Sequence, residues 1–542
     1  MEKHWQVLDD GKKKNLKEIL LRNRQIEDPD SFFQPHLYKL TPPNRLFMDL
    51  EKAVGRIRKA IKNKELIYIY GDFDTDGIAG TGILWESLDF LGGKVLPFIP
   101  HREKEGYGLH TESLRSLVKE GARLIISVDC GITAVEEADM AKKLGVDLII
   151  TDHHAQKKEI PRSFALLHSE KLAGSGVAFM LAKALLESFG RGESEQFFKN
   201  LELATIGTIA DIIPLVGDNR IVVANGLLKL TRSSRVGLRA LYEEAAIAKA
   251  IGPYEIGFII APRLNAMGRM EHALDSLRLI LTRDKERARK LAKKLSETNR
   301  QRQEALETAL QHARQSVSAA NLPKIIIVQD KNYPAGIIGL IAARLAEEFH
   351  RPAIAISEGK ISRGSARSIS GFDIASAITV GADYLESHGG HPMAAGFSIA
   401  QTKIPIFKEK ILEYAEKSLK ESDLTPTLKI DTTLSGDSLN PATLGLVKEF
   451  EPFGTGNPEP VFLTKNLQVV RVRPVGKEGQ HTRFIFRTVD NFVYEAIGFG
   501  LGGREVKEGE VLDVAYNLRQ DTWHGDGRLE LKVKDFKSAQ RR

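Results

Sequence analysis

The sequence predicts an α/β protein: a parallel-sheet domain, joined by a long helix to a second α/β domain, and a C-terminal β-barrel. Three observations support this class. Apolar strand-like runs alternate with helical patterns through the first half of the chain. A long segment without Gly or Pro follows, and the last part alternates short strands with Gly-rich turns.

Bulk composition limits the classes of protein that are possible. The chain has 542 residues, 42% of them hydrophobic, which is enough for several domain cores. No run approaches the roughly 18–20 apolar residues of a membrane span, so we expect no membrane contact. The polar N-terminus does not resemble a secretion signal, and the single cysteine, Cys130, fits a cytoplasmic location. The net charge of +7 permits a nucleic-acid partner without indicating one.

The first domain is predicted from strand-like runs at residues 65–70, 123–128 and 146–151, each followed by a helical pattern. Residues 283–314 contain no Gly or Pro and predict one long helix. That helix carries ten Lys/Arg against five Asp/Glu. It is interpreted equally well as a solvated connector and as the basic wall of a DNA channel.

A second α/β unit begins with the apolar run at residues 324–328 and contains the Gly-rich segments 363–370 and 389–396. Beyond residue 425, strands separated by Gly-rich turns, including residues 524–527, predict a small barrel of the OB-fold type. The predicted order is an N-terminal arm at 1–45, the parallel-sheet domain at 46–282, the connecting helix at 283–320, the second α/β domain at 321–424 and the barrel at 425–542.

The strongest chemical signal is the group Asp72, Asp74 and Asp76, which directly follows a strand-like run. Three carboxylates within five residues repel one another, and a cation offsets that repulsion. Oxygen ligands of this kind suit Mg²⁺, Mn²⁺ or Ca²⁺. The same spacing opens an EF-hand loop, but the position of its bidentate Glu is Ile83 and a strand precedes the group, so that alternative is disfavoured.

Further acids and histidines stand where other predicted strands end. Asp129 follows one run, Asp152, His153 and His154 follow the next, and Asp211 lies in the apolar stretch 208–214. Each has an ordinary alternative as a helix cap, a surface loop or a hydrogen-bonded core acid. The carboxyl ends of neighbouring parallel strands share one crevice, however, so their common placement favours a single cluster.

Mixed carboxylate and imidazole ligands suit Mn²⁺ or Mg²⁺ better than structural zinc. The acids suffice for two ions with one bridging carboxylate. Two ions about 3.5–4 Å apart can activate a water molecule and hold a phosphoryl group for in-line attack. The cluster therefore predicts hydrolysis of a phosphoester or phosphoanhydride.

Taken together, these motifs resemble the DHH phosphoesterase superfamily and, within it, the RecJ single-strand-specific DNA exonucleases. The order of the motifs along a chain of this length makes the resemblance specific. The matching segments are residues 71–77, 127–133, 151–154, 207–215, 262–269, 363–369, 389–396 and 452–458.

The resemblance implies a role for each candidate residue. The implied metal ligands are Asp74, Asp76, Asp129, His153 and Asp211. Asp72 and Asp152 are implied as supporting acids, and His154 as the catalytic histidine near the phosphate. The implied substrate-binding residues are Arg102, Arg269, Ser365, Arg367 and His391. The implied reaction, with two Mn²⁺ or Mg²⁺ ions, releases mononucleotides from single-stranded DNA in the five-prime to three-prime direction, in recombination and repair.

The sequence also departs from the family pattern. Tyr70 stands where a histidine is common, so one metal site is expected to lack an imidazole. Asn332 and Tyr333 replace a usual Trp-His pair, which leaves the contacts of that segment open. In the barrel, 17 Lys/Arg stand against 16 Asp/Glu, and we expect at most two of its aromatic side chains to be exposed for base stacking. The aromatic candidates are Phe484, Phe486, Tyr494, Tyr516 and Trp523.

Two other kinds of function share some of these sequence features. A DHH phosphodiesterase acting on short RNA or cyclic dinucleotides, or a related pyrophosphatase, would need neither the arm nor the barrel. A non-catalytic DNA-binding replication factor would be expected to have lost metal ligands that this chain retains. For the main hypothesis we expect a monomer, with a helicase or a single-strand-binding protein as candidate protein partners.

Overall fold

The computed structural model describes residues 2–10, 15–102, 104–248, 250–317, 322–521 and 528–539. The chain divides into two compact units. We call Met1–Lys39, Pro214–Ile221 and Pro426–Arg542 the barrel unit, and Leu40–Ile213 and Val222–Thr425 the α/β unit. None of the helices in the described residues has the length and apolar character that crossing a membrane requires.

Most helices and two of the sheets belong to the α/β unit. Its strands are β2 (Leu66–Gly71), β3 (Lys94–Phe98), β4 (Ala122–Val128), β5 (Asp147–Asp152), β6 (Ala165–His168), β7 (Ile326–Asp330), β8 (Ala353–Ser357), β9 (Ile361–Arg367), β10 (Leu385–His391) and β11 (Ala394–Ala400). Its helices are α3 (Pro43–Leu46), α4 (Leu50–Lys62), α5 (Thr75–Phe90), α6 (Thr111–Lys119), α7 (Val135–Lys143), α8 (Gly174–Ser188), α9 (Glu195–Ala210), α10 (Gly217–Thr231, which begins in the barrel unit), α11 (Val236–Glu244), α12 (Ala261–Met270), α13 (Leu274–Leu281), α14 (Lys285–Ser316), α15 (Ile338–Phe349), α16 (Ile374–Val380) and α17 (Ile404–Ser418).

The first sheet is the parallel sheet that the sequence predicts. Its strand order is β3-β2-β4-β5-β6, and each neighbouring pair runs parallel. Tyr70 pairs with Ser127 and Val128 pairs with Thr151, so the carboxyl ends of three strands lie side by side. The predicted runs match these strands within a residue, and the predicted α/β class is confirmed.

Helix α5 packs unusually close to this sheet. A methyl group at Gly80 would lie 2.6 Å from a Val128 side-chain carbon and 3.2 Å from the Ser175 Cα. Only a residue without a side chain allows that approach. As a result, the first turn of α8 is held against the end of the sheet where the Asp motifs stand.

Helix α14 is the predicted long helix. It begins at Lys285 because the Asp284 side chain caps it, accepting the Arg287 N–H at 2.7 Å. One face is buried, including Ala292, Leu295 and Leu310, and packs on α11, α12, α13 and α15. The helix is thus a packed connector between the two sheets of the α/β unit.

The second sheet has the order β10-β11-β9-β8-β7, with only β7 and β8 parallel. Before α15, Tyr333 is buried and its hydroxyl lies 2.9 Å from His312 Nδ1 on α14. The segment that departs from the family pattern therefore anchors this domain to the connecting helix.

The barrel unit is built largely from a closed sheet. Its strands are β1 (His4–Val7), β12 (Thr427–Ile430), β13 (Thr432–Thr433), β14 (Phe462–Val475), β15 (His481–Arg487), β16 (Val493–Gly498), β17 (Val511–Gln520) and β18 (Leu529–Ser538), and its helices are α1 (Leu16–Asn23), α2 (Pro29–Phe33) and α18 (Pro441–Glu449). Strand β14 pairs with both β15 and β17, which closes the sheet order β13-β14-β15-β16-β18-β17 into the expected barrel. The N-terminal strand β1 pairs with β12.

The aromatic candidates in the barrel are mainly core residues, as predicted. Phe484, Phe486 and Tyr516 are fully buried. The Tyr494 hydroxyl donates to the carbonyls of Gly436 and Leu439 at 3.0 and 2.9 Å. Trp523 and the turn at residues 524–527 lie outside the described residues.

A buried ion network in the α/β unit gives a stability prediction. Arg235 donates to both Glu86 oxygens at 2.7 Å and to Glu202 at 3.1 Å, and it is almost wholly buried. Arg235→Ala leaves two carboxylates without their partner, so we expect the free energy of unfolding to fall by about 3–5 kcal/mol. Urea denaturation measures it, with the exposed Arg300→Ala as a control expected to cost under about 1 kcal/mol. Equal losses in the two variants would contradict this account.

Candidate active site

The candidate site lies at the carboxyl edge of the parallel sheet. Strand β2 leads into Asp72, β4 into Asp129, and β5 ends at Asp152. Asp74 is the N-cap of α5, and its side chain accepts the N–H groups of Asp76 and Gly77 at 2.9 and 3.0 Å. A strand-to-helix turn, and not an EF-hand, therefore carries the three acids.

His153 is at the centre of the cluster. Its Nε2 lies 3.1 Å from Asp129 Oδ1, 3.5 Å from Asp211 Oδ2 and 4.0 Å from Asp76 Oδ2. Ligand atoms from three overlapping sets of side chains each lie within 4.8 Å of one another. The sets are Asp76, His153 and Asp211; Asp129, His153 and His154; and Asp72, Asp74 and Asp129. The fold thus brings the predicted ligands together and places Asp72 within ligand distance as well.

Asp152 and Tyr107 orient the histidine pair. Asp152 Oδ1 accepts the N–H groups of His153 and His154 at 2.7 and 3.1 Å and lies 2.8 Å from His154 Nδ1. The Tyr107 hydroxyl lies 2.9 Å from the same His154 nitrogen and donates to the Asp129 carbonyl at 3.2 Å. Sequence reasoning assigned no role to Tyr107, and its position between Gly106 and Gly108 was the only available signal.

Two non-glycine residues at this site have left-handed backbone conformations. Asp129 has φ 62°, and Ile212, next to Asp211, has φ 60°. Aspartate tolerates this region, but a β-branched residue there is strained by about 1–3 kcal/mol. Ile212 is also 70% exposed, so no apolar burial of its side chain offsets that strain. The turn is therefore held in the conformation that directs Asp211 toward His153.

The buried acids perturb one another strongly. Burial, followed by the charges of neighbouring aspartates, raises the pKa of Asp72 and of Asp129 well above the usual range. The same causes raise the pKa of Asp76 to about 6 and that of Asp211 to about 8. Burial lowers the pKa of His153 to about 4, which keeps its imidazole neutral.

These properties fit a divalent cation. In the part of the chain that the structure describes, the buried oxygens Asp72 Oδ1 and Asp129 Oδ1 accept no hydrogen bond. Unsatisfied carboxylate oxygens beside a neutral imidazole are the donor set that Mn²⁺ or Mg²⁺ accepts. A cation would both satisfy these oxygens and offset the repulsion among the acids.

Helix α8 holds two of these acids in place. Asp76 accepts the N–H groups of Gly174 and Ser175 at 2.6 and 3.0 Å, at the positive end of the helix. A methyl group at Gly174 would lie 2.6 Å from the Asp129 carboxyl carbon. A methyl group at Gly207 would contact the Asp76 carboxylate. The spacing of Asp76 and Asp129 therefore depends on two glycines.

Tyr70 contributes nothing to the cluster. Its side chain is fully buried in the core with Tyr68 and Leu114 and packs on Phe98 at 4.9 Å between ring centroids.

A cleft of about 670 Å³ adjoins the cluster within the α/β unit. Arg102, Arg269, Ser365 and Arg367 line it, together with Phe73 and Tyr107 from the catalytic edge. Burial and the nearby cations Arg102, Arg302 and Arg367 lower the pKa of Arg269 to about 9. Cations that crowd one another in this way favour an anionic ligand such as a phosphate.

One predicted substrate residue lies elsewhere. His391 is exposed at the end of β10 and does not line the cleft, whereas His388 on the same strand does. Three residues along an extended strand separate the two by about 10 Å. Both histidines flank the same glycine pair, and the assignment of His391 to the substrate stays a prediction.

Three family descriptions match the chain in the order of its domains. They are "DHH family, N-terminal domain" at residues 66–208, "DHHA1 domain" at 322–421 and "RecJ OB domain" at 430–535. The single-stranded-DNA-specific exonuclease RecJ of Thermus thermophilus is 33% identical over 510 residues, which cover 92% of this chain and 73% of the relative. The chain belongs to the RecJ family.

Other RecJ proteins are similar over comparable lengths. The Bacillus subtilis RecJ is 35% identical over 90% of this chain, and the chain spans 63% of that relative's length. The Escherichia coli RecJ is 30% identical over 89% of this chain and 86% of the relative. The T. thermophilus RecJ crystal structure with Mn²⁺ has a TM-score of 0.86 at 30% identity, covering 99% of this chain and 80% of that chain; its Mg²⁺ complex has a TM-score of 0.79 at 28% identity. The predicted fold and family are confirmed.

The raised pKa values predict that ion binding is linked to proton release. Below pKa values of about 6 and about 8, Asp76 and Asp211 are protonated, and protons compete with the ion for their oxygens. We expect Mn²⁺ affinity to rise between pH 6 and pH 8, with net proton release at pH 7 to which Asp211 contributes. Calorimetry in buffers of different ionisation enthalpy measures that release. Binding at pH 7 without proton release would disprove the linkage.

The close approach of Gly174 to Asp129 predicts that a larger residue at this position reduces the affinity for the metal ion. Gly174→Ala displaces the Asp129 carboxylate, so we expect Mn²⁺ binding to weaken about 10–100-fold in calorimetric titration. Gly55→Ala is the matched control, because a methyl group at that helical position meets no atom within 4 Å. Unchanged Mn²⁺ affinity in a folded Gly174→Ala protein would refute the role given to α8.

Proposed function

We propose that the chain is a metal-dependent exonuclease that hydrolyses phosphodiester bonds of single-stranded DNA in the five-prime to three-prime direction, releasing mononucleotides. The observation that carries this proposal is the arginine-lined cleft directly beside the acid and histidine cluster. A terminal phosphate in the cleft would place the next phosphodiester at the cluster. RecJ membership supports the DNA substrate, and the polarity follows from the family resemblance.

In this proposal the two ions are Mn²⁺ or Mg²⁺, and their ligands are Asp74, Asp76, Asp129, His153 and Asp211. When bound, such ions supply Lewis acidity to the attacking water and to the phosphate. The side chains fix where that chemistry takes place: α8 holds Asp76, and the backbone turn at Ile212 directs Asp211.

His154 is proposed to act on the scissile phosphate. Burial opposes protonation of this histidine, but the hydrogen bond that its ring donates to Asp152 raises its pKa. A protonated imidazole can donate to a phosphate oxygen and stabilise the charge that develops there. Tyr107, bonded to the same ring and lining the cleft, keeps the imidazole facing the substrate.

The substrate's terminal phosphate is assigned to four side chains. The guanidinium groups of Arg102, Arg269 and Arg367 surround it, and the Ser365 hydroxyl donates a further hydrogen bond. Arg102 already lies over the Phe73 ring, 5.0 Å from its centroid, which restricts its rotation. Selective binding of an end phosphate is what distinguishes an exonuclease from an endonuclease in this proposal.

The wider assignments follow the sequence predictions. We assign catalysis to residues 46–282, the connection to 283–320, substrate binding to 321–424 and support of the strand to the barrel at 425–542. We further propose that the protein is a cytoplasmic monomer that acts in DNA recombination and repair. Its candidate protein partner is a helicase or a single-strand-binding protein.

Digestion of end-labelled DNA with and without Mn²⁺ or Mg²⁺ tests this function. With a five-prime label we expect immediate release of a labelled mononucleotide, and with a three-prime label a series of shortening fragments. Duplex DNA of the same sequence should be cut much more slowly. A product series that starts at the three-prime end would overturn the polarity, and inert protein with both metals would overturn the function.

The variant Asp129→Ala tests whether cleavage of single-stranded DNA can be lost while binding of that DNA is kept. Asp129 belongs to two of the candidate ligand sets, one with His153 and His154 and one with Asp72 and Asp74. We therefore expect the rate of cleavage to fall at least about 100-fold while the affinity for single-stranded DNA changes little. Nuclease assays and fluorescence anisotropy measure the two quantities. Asp139→Ala, an exposed acid on α7, is the matched control and should cut normally. Normal cutting by Asp129→Ala would refute the site.

A further inference from the structure

Two large aromatic side chains near the site are exposed to solvent and stack on one another. Tyr254 is 63% exposed and Phe258 is 68% exposed. Their ring centroids lie 5.0 Å apart with an interplanar angle of 24°. Folding normally buries such side chains, so an exposed pair that presents flat ring faces indicates a binding surface.

The pair stands on an irregular helical segment. Glu255–Ile260 forms a π-helix that runs directly into α12. Pro262 lacks the amide hydrogen that a regular helix would direct at the Phe258 carbonyl, and the Arg263 side chain donates to the Ile259 carbonyl at 2.8 Å. Turns of this kind are rare and occur frequently at functional sites.

The pair stands on the same continuous helical stretch as two residues of the site. Tyr254 and Phe258 are four residues apart, as are Asn265 and Arg269, and seven residues separate Phe258 from Asn265. The Asn265 side chain accepts the Thr75 N–H at 2.8 Å, beside Asp74 and Asp76. Arg269 lines the phosphate cleft. One helical stretch therefore carries the cleft arginine, the contact to the acidic turn and the aromatic pair, in that order.

The helical stretch also sets the order of these contacts along its axis. At the α-helical rise of 1.5 Å per residue, Asn265 lies about 6 Å along the axis from Arg269. Phe258 lies seven residues farther in the same direction, on the π-helical segment. A strand whose end phosphate binds at Arg269 and whose first linkage is cut at the acidic turn would continue toward Phe258. Helix α9, which ends beside Asp211, packs on the same π-helical segment.

We propose that Tyr254 and Phe258 form a base-stacking platform for the part of the strand beyond the bond being cut. This inference rests on the proposed exonuclease function and adds a binding site to it. Aromatic faces accept any base, so the platform holds the strand without reading its sequence. Bases paired and stacked within a duplex have no free face to offer, so the platform favours single strands.

The test compares the affinities of a long single-stranded oligonucleotide and of a dinucleotide, both five-prime phosphorylated, by competition anisotropy. The proteins carry Asp129→Ala so that the DNA is not consumed. Only the long strand reaches the platform, so Phe258→Ala should reduce the affinity advantage of the long strand about tenfold. Phe258→Trp, which keeps a ring, should retain that advantage, and Phe258→Leu, which keeps only apolar bulk, should lose it.

Phe90→Ala is the matched control, because Phe90 is an exposed aromatic of the same unit at the opposite end of α5 from the acidic turn. It should bind both DNAs as the parent protein does. If Phe258→Ala and Phe90→Ala show the same affinity advantage for the long strand over the dinucleotide, the platform is overturned. Full retention of that advantage by Phe258→Leu would overturn it as well. Failure of the exonuclease function itself would appear separately, as absence of cutting by the wild-type protein.

Discussion

The mutual repulsion of carboxylates buried at the end of a parallel sheet is the constraint on which the rest of this structure depends. Asp72, Asp76, Asp129 and Asp211 all have raised pKa values because each is buried near the others. An assembly of this kind is unfavourable in a protein that lacks cations. The cluster is therefore suited to divalent ions. Their positive charge attracts the same carboxylates that repel one another, so ion binding relieves the repulsion.

The surrounding fold keeps the acids close in spite of that repulsion. The positive end of α8 donates two backbone N–H groups to Asp76, and Gly174 leaves room for Asp129. Helix α5 can hold α8 at this position because Gly80 brings the helices and β4 into direct contact. Backbone groups and glycines thus do the positioning, since side chains of ordinary size would not fit between the carboxylates.

Helix α12 and the π-helical segment before it adjoin this site. Arg269 in the cleft and Asn265 on the acidic turn belong to α12, and Phe258 stands in solvent on the π-helical segment that runs into it. A rigid helix fixes the separations of these three contacts more closely than independent loops would. In the proposed function, the strand end, the bond being cut and the remaining strand would therefore be held along one continuous helical stretch.

Sequence alone determined the elements whose signals are local. Strand-like runs that end in Asp129 and Asp152 predicted a parallel sheet and a shared cluster, because carboxyl ends of such strands always meet at one edge. Only the tertiary structure decided which neighbours each side chain has. It placed His388 and not His391 in the cleft and left Phe258 in solvent, because burial depends on contacts between segments far apart in the chain. Local patterns of residue type do not encode such contacts, so they could not be read from the sequence.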